Sequence, residues 1–142
     1  MNSKIEIVEY KPEYEKEVIE LWERCELTRP WNNPERDIER KMKERPELFL
    51  VGLMEGKVVA SAMGGYEGHR GWVYYLGVDP AYRRQGLARR MMDTLEAKLM
   101  EAGCPKINIQ VRGGNTGALN FFRNIGYNTE DRISLGKRLI DD

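Results

Sequence analysis

Between Tyr74 and Ala102 the chain sets a basic, glycine-containing turn, Arg83-Arg84-Gln85-Gly86, between two regular patterns. A β-branched and aromatic run ends at Pro80 before it, and a helical pattern starts at Leu87 after it. The first N–H groups of a helix have no partner inside it and carry the positive end of its dipole, so together they form a seat for phosphate. Gly86 lets a ligand approach the backbone closely because it has no Cβ. Arg83 and Arg84 add fork-shaped cationic donors suited to phosphate oxygens. The pattern predicts a pyrophosphate lying over residues 83–88, including Gln85, Leu87 and Ala88. An ordinary strand–loop–helix connection with solvated arginines would carry the same residues. The dinucleotide fingerprint is a different pattern, with three spaced glycines.

Other reactive side chains are sparse. His69 is the one histidine; its unperturbed pKa suits a general base, but it falls in a turn, where a surface histidine without a catalytic role is the competing reading. Cys25 and Cys104 have no metal-ligand spacing and no Cys-x-x-Cys pattern. They read as two free thiols of a reducing compartment, and no metal is expected. Lysine plus arginine equals aspartate plus glutamate, 23 each. That balance argues against nucleic-acid binding through net charge. No apolar run approaches the ~20 residues of a membrane span, and the N-terminus has no apolar signal region. These features predict a cytoplasmic protein with no membrane partner and a single domain over residues 1–142, and leave monomer and homodimer both open.

The elements that would position the turn follow from periodicity. Leu87, Met91, Leu95 and Leu99 form one apolar stripe at helical spacing, and Gly103 is a natural cap behind it. Lys4–Tyr10 reads as a strand, and Tyr14, Val18, Leu21, Trp22 and Cys25 mark a first helix. Asn33-Pro34 reads as a cap and first turn of a second helix, running to about Arg45. Leu48–Met54, Lys57–Tyr66 and Trp72–Val78 have strand character and form an antiparallel meander. Gly64-Gly65 would permit a bulge or a close backbone approach. Lys106–Arg112 alternates as a fifth strand, parallel to the one before the long helix. Thr116–Asn124 is a short helix, and Tyr127–Asp131 with Ile133–Leu139 look like a closing antiparallel pair. The sum is an α/β chain with one mixed sheet of about seven strands and four helices on both faces.

Residues 74–88 resemble the acetyl-CoA-binding motif of the GNAT (Gcn5-related) N-acetyltransferases. That family's Gln/Arg-x-x-Gly-x-Gly/Ala stands here as Arg83-Arg84-Gln85-Gly86-Leu87-Ala88, after Leu76-Gly77-Val78-Asp79-Pro80. Residues 115–127 are similar to its second motif, with Asn115, Ala118, Phe121, Gly126 and Tyr127 in place. Leu21-Trp22-Glu23-Arg24-Cys25 and Arg29-Pro30-Trp31 are further matches to small bacterial, YpeA-like members. The resemblance implies acetyl-CoA as cosubstrate, an amine as acceptor and direct attack on the thioester. It implies that Leu76, Gly77 and Val78 bind the pantetheine arm, that an N–H of Gly77 or Val78 polarises the thioester carbonyl, and that Asn115 bonds the arm. Phe122 would lie beside the thioester. Arg123 would reach the 3′-phosphate or be a solvated helix residue.

The chain departs from the family where acids and bases are expected. Phe122 stands where many members have a tyrosine acid. Gln110 and Trp72 stand at positions of a glutamate base. A base is then sought through water at Glu26, Glu67, His69 or Asp79, and a displaced acid at Tyr74, Tyr75 or Tyr127. Arg29 and Trp31 would contact the acceptor. A non-catalytic acyl-CoA-binding module is the alternative.

Overall fold

Residues 49–54 show how the sheet sorts its two faces. Successive side chains of a strand point to opposite sides. Accordingly Phe49, Val51 and Leu53 join one buried cluster with Trp22 and Ile38, while Leu50 and Met54 join another with Met91 and Leu95. The computed structural model describes residues 4–142.

The strands are β1 (Glu6–Glu9), β2 (Phe49–Met54), β3 (Lys57–Tyr66), β4 (Gly71–Val78) and β5 (Ile107–Asn108). They lie side by side in that order, with β1 to β4 antiparallel and β5 parallel to β4. The helices are α1 (Glu15–Arg24), α2 (Pro34–Lys41), α3 (Leu87–Glu101) and α4 (Thr116–Asn124). α1 and α2 cover one face, and α3 and α4 the other. The apolar stripe of α3 is buried as its spacing predicts, Leu87, Met91, Leu95 and Leu99 each being at most 3% exposed. Full burial of such a side chain is worth about 1.5–3 kcal/mol relative to exposure. Asn33 caps α2, its side chain accepting from the Arg36 N–H at 3.1 Å.

Three expectations are corrected. The described residues hold five strands rather than about seven: β5 spans two residues, and residues 127–139 form no ladder. A strand exists only against a partner's N–H and C=O row. The two residues of β5 supply almost none, and side chains hold the tail instead. Glu130 pairs with Lys106 and accepts from Asn108, Gln110 bonds Ser134, and Asp142 pairs with Arg40 at 2.7 Å. Secondly, α2 ends at Lys41. Thirdly, of the two uses expected for Gly64-Gly65 the bulge is absent and the close approach is present. Gly64 instead admits the α3 side chain Leu95, whose Cδ1 would stand 2.6 Å from an added Cβ.

Candidate functional site: a slot between two diverging strands

β4 and β5 are in register only at Gly71 with Ile107 and Trp72 with Asn108. Beyond that point they part. The opening is a cavity of about 1000 Å³ lined on one side by Val73, Tyr74, Tyr75 and Leu76 and on the other by Ile109, Gln110, Val111 and Arg112.

A bulge in β4 bends the strand at this point. Ser61 faces Gly77 and Met63 faces Tyr74, so two steps on β3 answer three on β4. Tyr75 takes a left-handed conformation, φ 53°, which costs a non-glycine residue on the order of 1–3 kcal/mol. Buried contacts offset this. The Trp22 Nε1–H donates to Ser61 Oγ at 2.9 Å, and the Ser61 hydroxyl donates to the Tyr75 carbonyl at 2.7 Å. The Trp22 and Tyr75 rings stack with centroids 3.7 Å apart. The Tyr75 hydroxyl donates to Asp37 at 2.6 Å, and burial followed by this bond pushes its pKa well up. The sequence reading missed this device, although Ser61, a lone hydroxyl inside a wholly buried strand segment, was the available signal.

The bulge decides which backbone groups face the slot. The Asp79 N–H donates to the Val59 carbonyl at 2.8 Å. The ladder continues through Ser61 and Gly77, so Gly77 also faces β3 and Val78 turns its groups away from it, while Leu76, at the bulge, lines the opening. Consistent with this, the Val78 carbonyl accepts from Cys25 Sγ at 3.3 Å and Arg83 Nε at 3.2 Å. Gly77, expected as a polarising donor, is thereby corrected to a packing position. A Cβ there would stand 3.0 Å from Leu27 Cδ1 and 3.1 Å from Cys25 Sγ.

After β4 the chain makes a 3₁₀ turn, Pro80–Tyr82, capped by Asp79, which also pairs with Arg24 at 2.8 Å. Arg84 (φ 66°) and Gly86 (φ 75°) are both left-handed. Gly86 caps α3 without a side chain, and residues 83–86 are exposed. The first turn of α3 therefore presents backbone N–H groups without a side-chain cap. Arg83 turns its Nε back to Val78, whereas Arg84 and Gln85 stand outward in solvent exposure.

The remaining sequence candidates separate. Glu26, Arg29, Leu76, Asn115 and Phe122 line the slot. Asn115 caps α4, its side-chain oxygen accepting from the Ala118 N–H at 3.0 Å, which leaves its amide N–H₂ as a donor. Phe122 packs edge-on to Phe121 and Tyr127. Trp31 is 54% exposed and touches the slot through Arg112, whose guanidinium lies 5.8 Å from its ring centre. Arg123 bonds Thr129 at 2.8 Å and does not line the slot. His69 is corrected as a base: it is exposed in the β3–β4 turn and is not among the lining residues. Glu67 holds that turn by accepting from the His69 and Arg70 N–H groups, which lowers its pKa. Of the three tyrosines, Tyr127 donates to Glu96 at 2.6 Å and Tyr75 to Asp37. Tyr74 lines the slot, and burial raises its pKa.

Residues 11–127 match the family described as the acetyltransferase (GNAT) family. An acetyltransferase of Yersinia pestis is 56% identical over 126 residues, covering 89% of each chain. One of Sodalis glossinidius is 55% identical over 127 residues, again 89% of each. Among solved structures, AAC(6')-Iy in complex with a bisubstrate analogue superposes with a TM-score of 0.79 at 13% identity, over 97% of this chain and 100% of the other. The ribosomal-protein-S18-alanine N-acetyltransferase of Escherichia coli gives 0.73 at 21%, over 88% and 78%. The slot, the uncapped helix after it and a family match over most of the chain agree: this chain belongs to the GNAT acetyltransferase family.

Proposed function

We propose that residues 1–142 form one N-acetyltransferase domain that moves the acetyl group of acetyl-CoA to a primary amine. The observation that carries this is the slot opened by the Tyr75 bulge, one connection away from a long helix whose first turn has no side-chain cap. An extended arm fits between diverging strands, and a pyrophosphate fits an uncapped helix start. In this assignment the amides of residues 84–88 hold the pyrophosphate, Leu76 and Val78 the arm, and the amide of Asn115 adds a donor.

Acetyl-CoA supplies a thioester, and in the transfer the amine nitrogen forms the new bond to the acetyl carbon as the carbon–sulfur bond breaks. The chain's part is to place the two reactants together and to stabilise charge on the carbonyl oxygen. The Leu76 N–H, at the bulge on the slot wall, is assigned the polarising role in place of Gly77. Glu26, on the slot wall, accepts the amine's proton through water. Tyr74, on the slot wall, is protonated at neutral pH as any phenol of pKa about 10 is, and is assigned as donor to the leaving sulfur.

A binding-only module is the second reading, favoured by the absence of an ionisable side chain at Phe122, Gln110 and Trp72. Calorimetric titration with acetyl-CoA and coenzyme A, followed by turnover on a panel of amines, tests both. Binding with acetylation supports the enzyme. Binding without acetylation of any amine supports the module, and no binding overturns both.

A further inference from the structure

Lys41 ends α2 inside the slot, among the lining residues and half-buried. Its ammonium lies over β3, 4.0 Å from the position of a Cβ at Gly65. A half-buried ammonium is stabilised by an acidic partner. Among the described residues, Lys41 has no carboxylate within ion-pair distance. The pairs on this face are Arg40 with Asp37 and Asp142, and Arg36 and Arg138 with Asp142. Burial lowers the Lys41 pKa, and Glu47 and Glu44 only partly oppose that at a distance.

The charges of the wall point the same way. Once the Arg40–Asp37 pair is set aside, the lining retains Arg29, Lys41 and Arg112 against Glu26 and Glu44. Arg29 spends one guanidinium nitrogen on the Glu26 and Thr28 carbonyls, and Arg112 stacks on Trp31. Neither is neutralised by an acid. Lys41 and Arg29 also come from the α1–α2 side of the sheet, whereas the phosphate seat is the start of α3 on the other side. Their charge is therefore left for the acceptor.

We infer that the acceptor amine also carries a carboxylate, and that Lys41 binds it, with Arg29 and Arg112 supplying the surrounding positive field. This rests on the acetyltransferase assignment for the identity of the acceptor, but not for the existence of a carboxylate subsite.

Matched amines test it: γ-aminobutyrate against butylamine, lysine against cadaverine, and β-alanine against phosphoethanolamine. Each is assayed for acetylation and also titrated calorimetrically into the protein with and without saturating coenzyme A. The carboxylate member of the first two pairs is expected to bind and react better. Lys41→Met, which keeps the length and apolar body of the stem, is expected to reduce kcat/KM or affinity for it about 10- to 100-fold, the effect of losing one charged hydrogen bond. Butylamine, cadaverine and the coenzyme A affinity should be unchanged by the substitution. Equal treatment of the paired amines by the wild type, or an equal loss on both in Lys41→Met, overturns the inference. Preference for phosphoethanolamine over β-alanine overturns the carboxylate in favour of phosphate. If acetylation fails with every amine, the binding arm alone decides between these outcomes, and coenzyme A titration separately decides the acetyltransferase assignment.

Discussion

Replacing Ser61 by alanine should strike stability and turnover at once, by different routes. The hydroxyl is fully buried and bridges the Trp22 indole N–H, 2.9 Å away, to the Tyr75 carbonyl, 2.7 Å away. Alanine fills nearly the same space, so no large cavity opens. It leaves one buried donor and one buried acceptor unpaired, each costing about 1–3 kcal/mol. The expected loss is therefore about 2–6 kcal/mol, read from the midpoint of urea unfolding at unchanged slope. Trp22→Phe in the Ser61→Ala background removes the orphaned donor, so the two losses should sum to more than the double variant shows. The same bridge holds the Tyr75 carbonyl at the bulge, next to the Leu76 N–H proposed above as the polarising donor. Turnover should fall while acetyl-CoA affinity, set mainly at the start of α3, holds. A Ser61→Ala protein within about 0.5 kcal/mol of wild type would show that the hydroxyl does not bridge these groups. A destabilised variant with wild-type kcat would show that the bridge does not position the carbonyl-polarising group.

Gly86→Glu should abolish acetyl-CoA binding in calorimetry, because a carboxylate would occupy the phosphate seat; a Cβ there meets nothing within 4 Å, and the left-handed φ of 75° costs about 1–2 kcal/mol of stability, which a Gly86→Ala control should share without losing binding. Unchanged affinity would remove that seat from residues 84–88. Phe122→Tyr should be tolerated and raise turnover, because the ring lines the slot; a large fall in melting temperature would place the ring edge in a dry core. Tyr74→Phe should lower kcat about 10- to 100-fold, a modest effect because a thiol with a pKa near ~8.5 leaves readily unaided. Unaltered kcat and pH profile would end its assignment as the acid.

Asp142 predicts a pH effect. Its hydrogen bond from Arg40, then the bond from the Asn33 N–H, lower its pKa from 3.8 to about 2. A carboxyl whose folded pKa is depressed contributes above its unfolded value and loses that contribution as pH falls through the folded one. The attachment of the tail to α2 should thus be complete above about pH 4 and released toward pH 2. Amide exchange at Asn33 should show the transition, and Asp142→Asn should remove it.

Much of the fold was legible in the letters. The stripe on α3, the Asn33 cap and the β2–β4 meander depend on spacing within one segment, and local periodicity records which side of an element meets the core. The exposed, uncapped turn before α3 is legible for a similar reason: Arg83 to Ala88 are contiguous, and a helix start is a backbone feature that needs no distant partner. The closing strands were misread because a ladder requires a partner row, and no alternation in residues 127–139 says whether one is present. Tertiary structure alone placed the bulge, since it arises from Trp22 and Ser61 acting on a carbonyl 14 residues beyond the serine. Tertiary structure likewise turned Gly77 toward β3, separated His69 from the slot and brought Lys41 into it. Each depends on which distant groups share a buried volume: local order is written in sequence spacing, whereas the solvation and pairing of a side chain are set by neighbours that only the folded chain supplies.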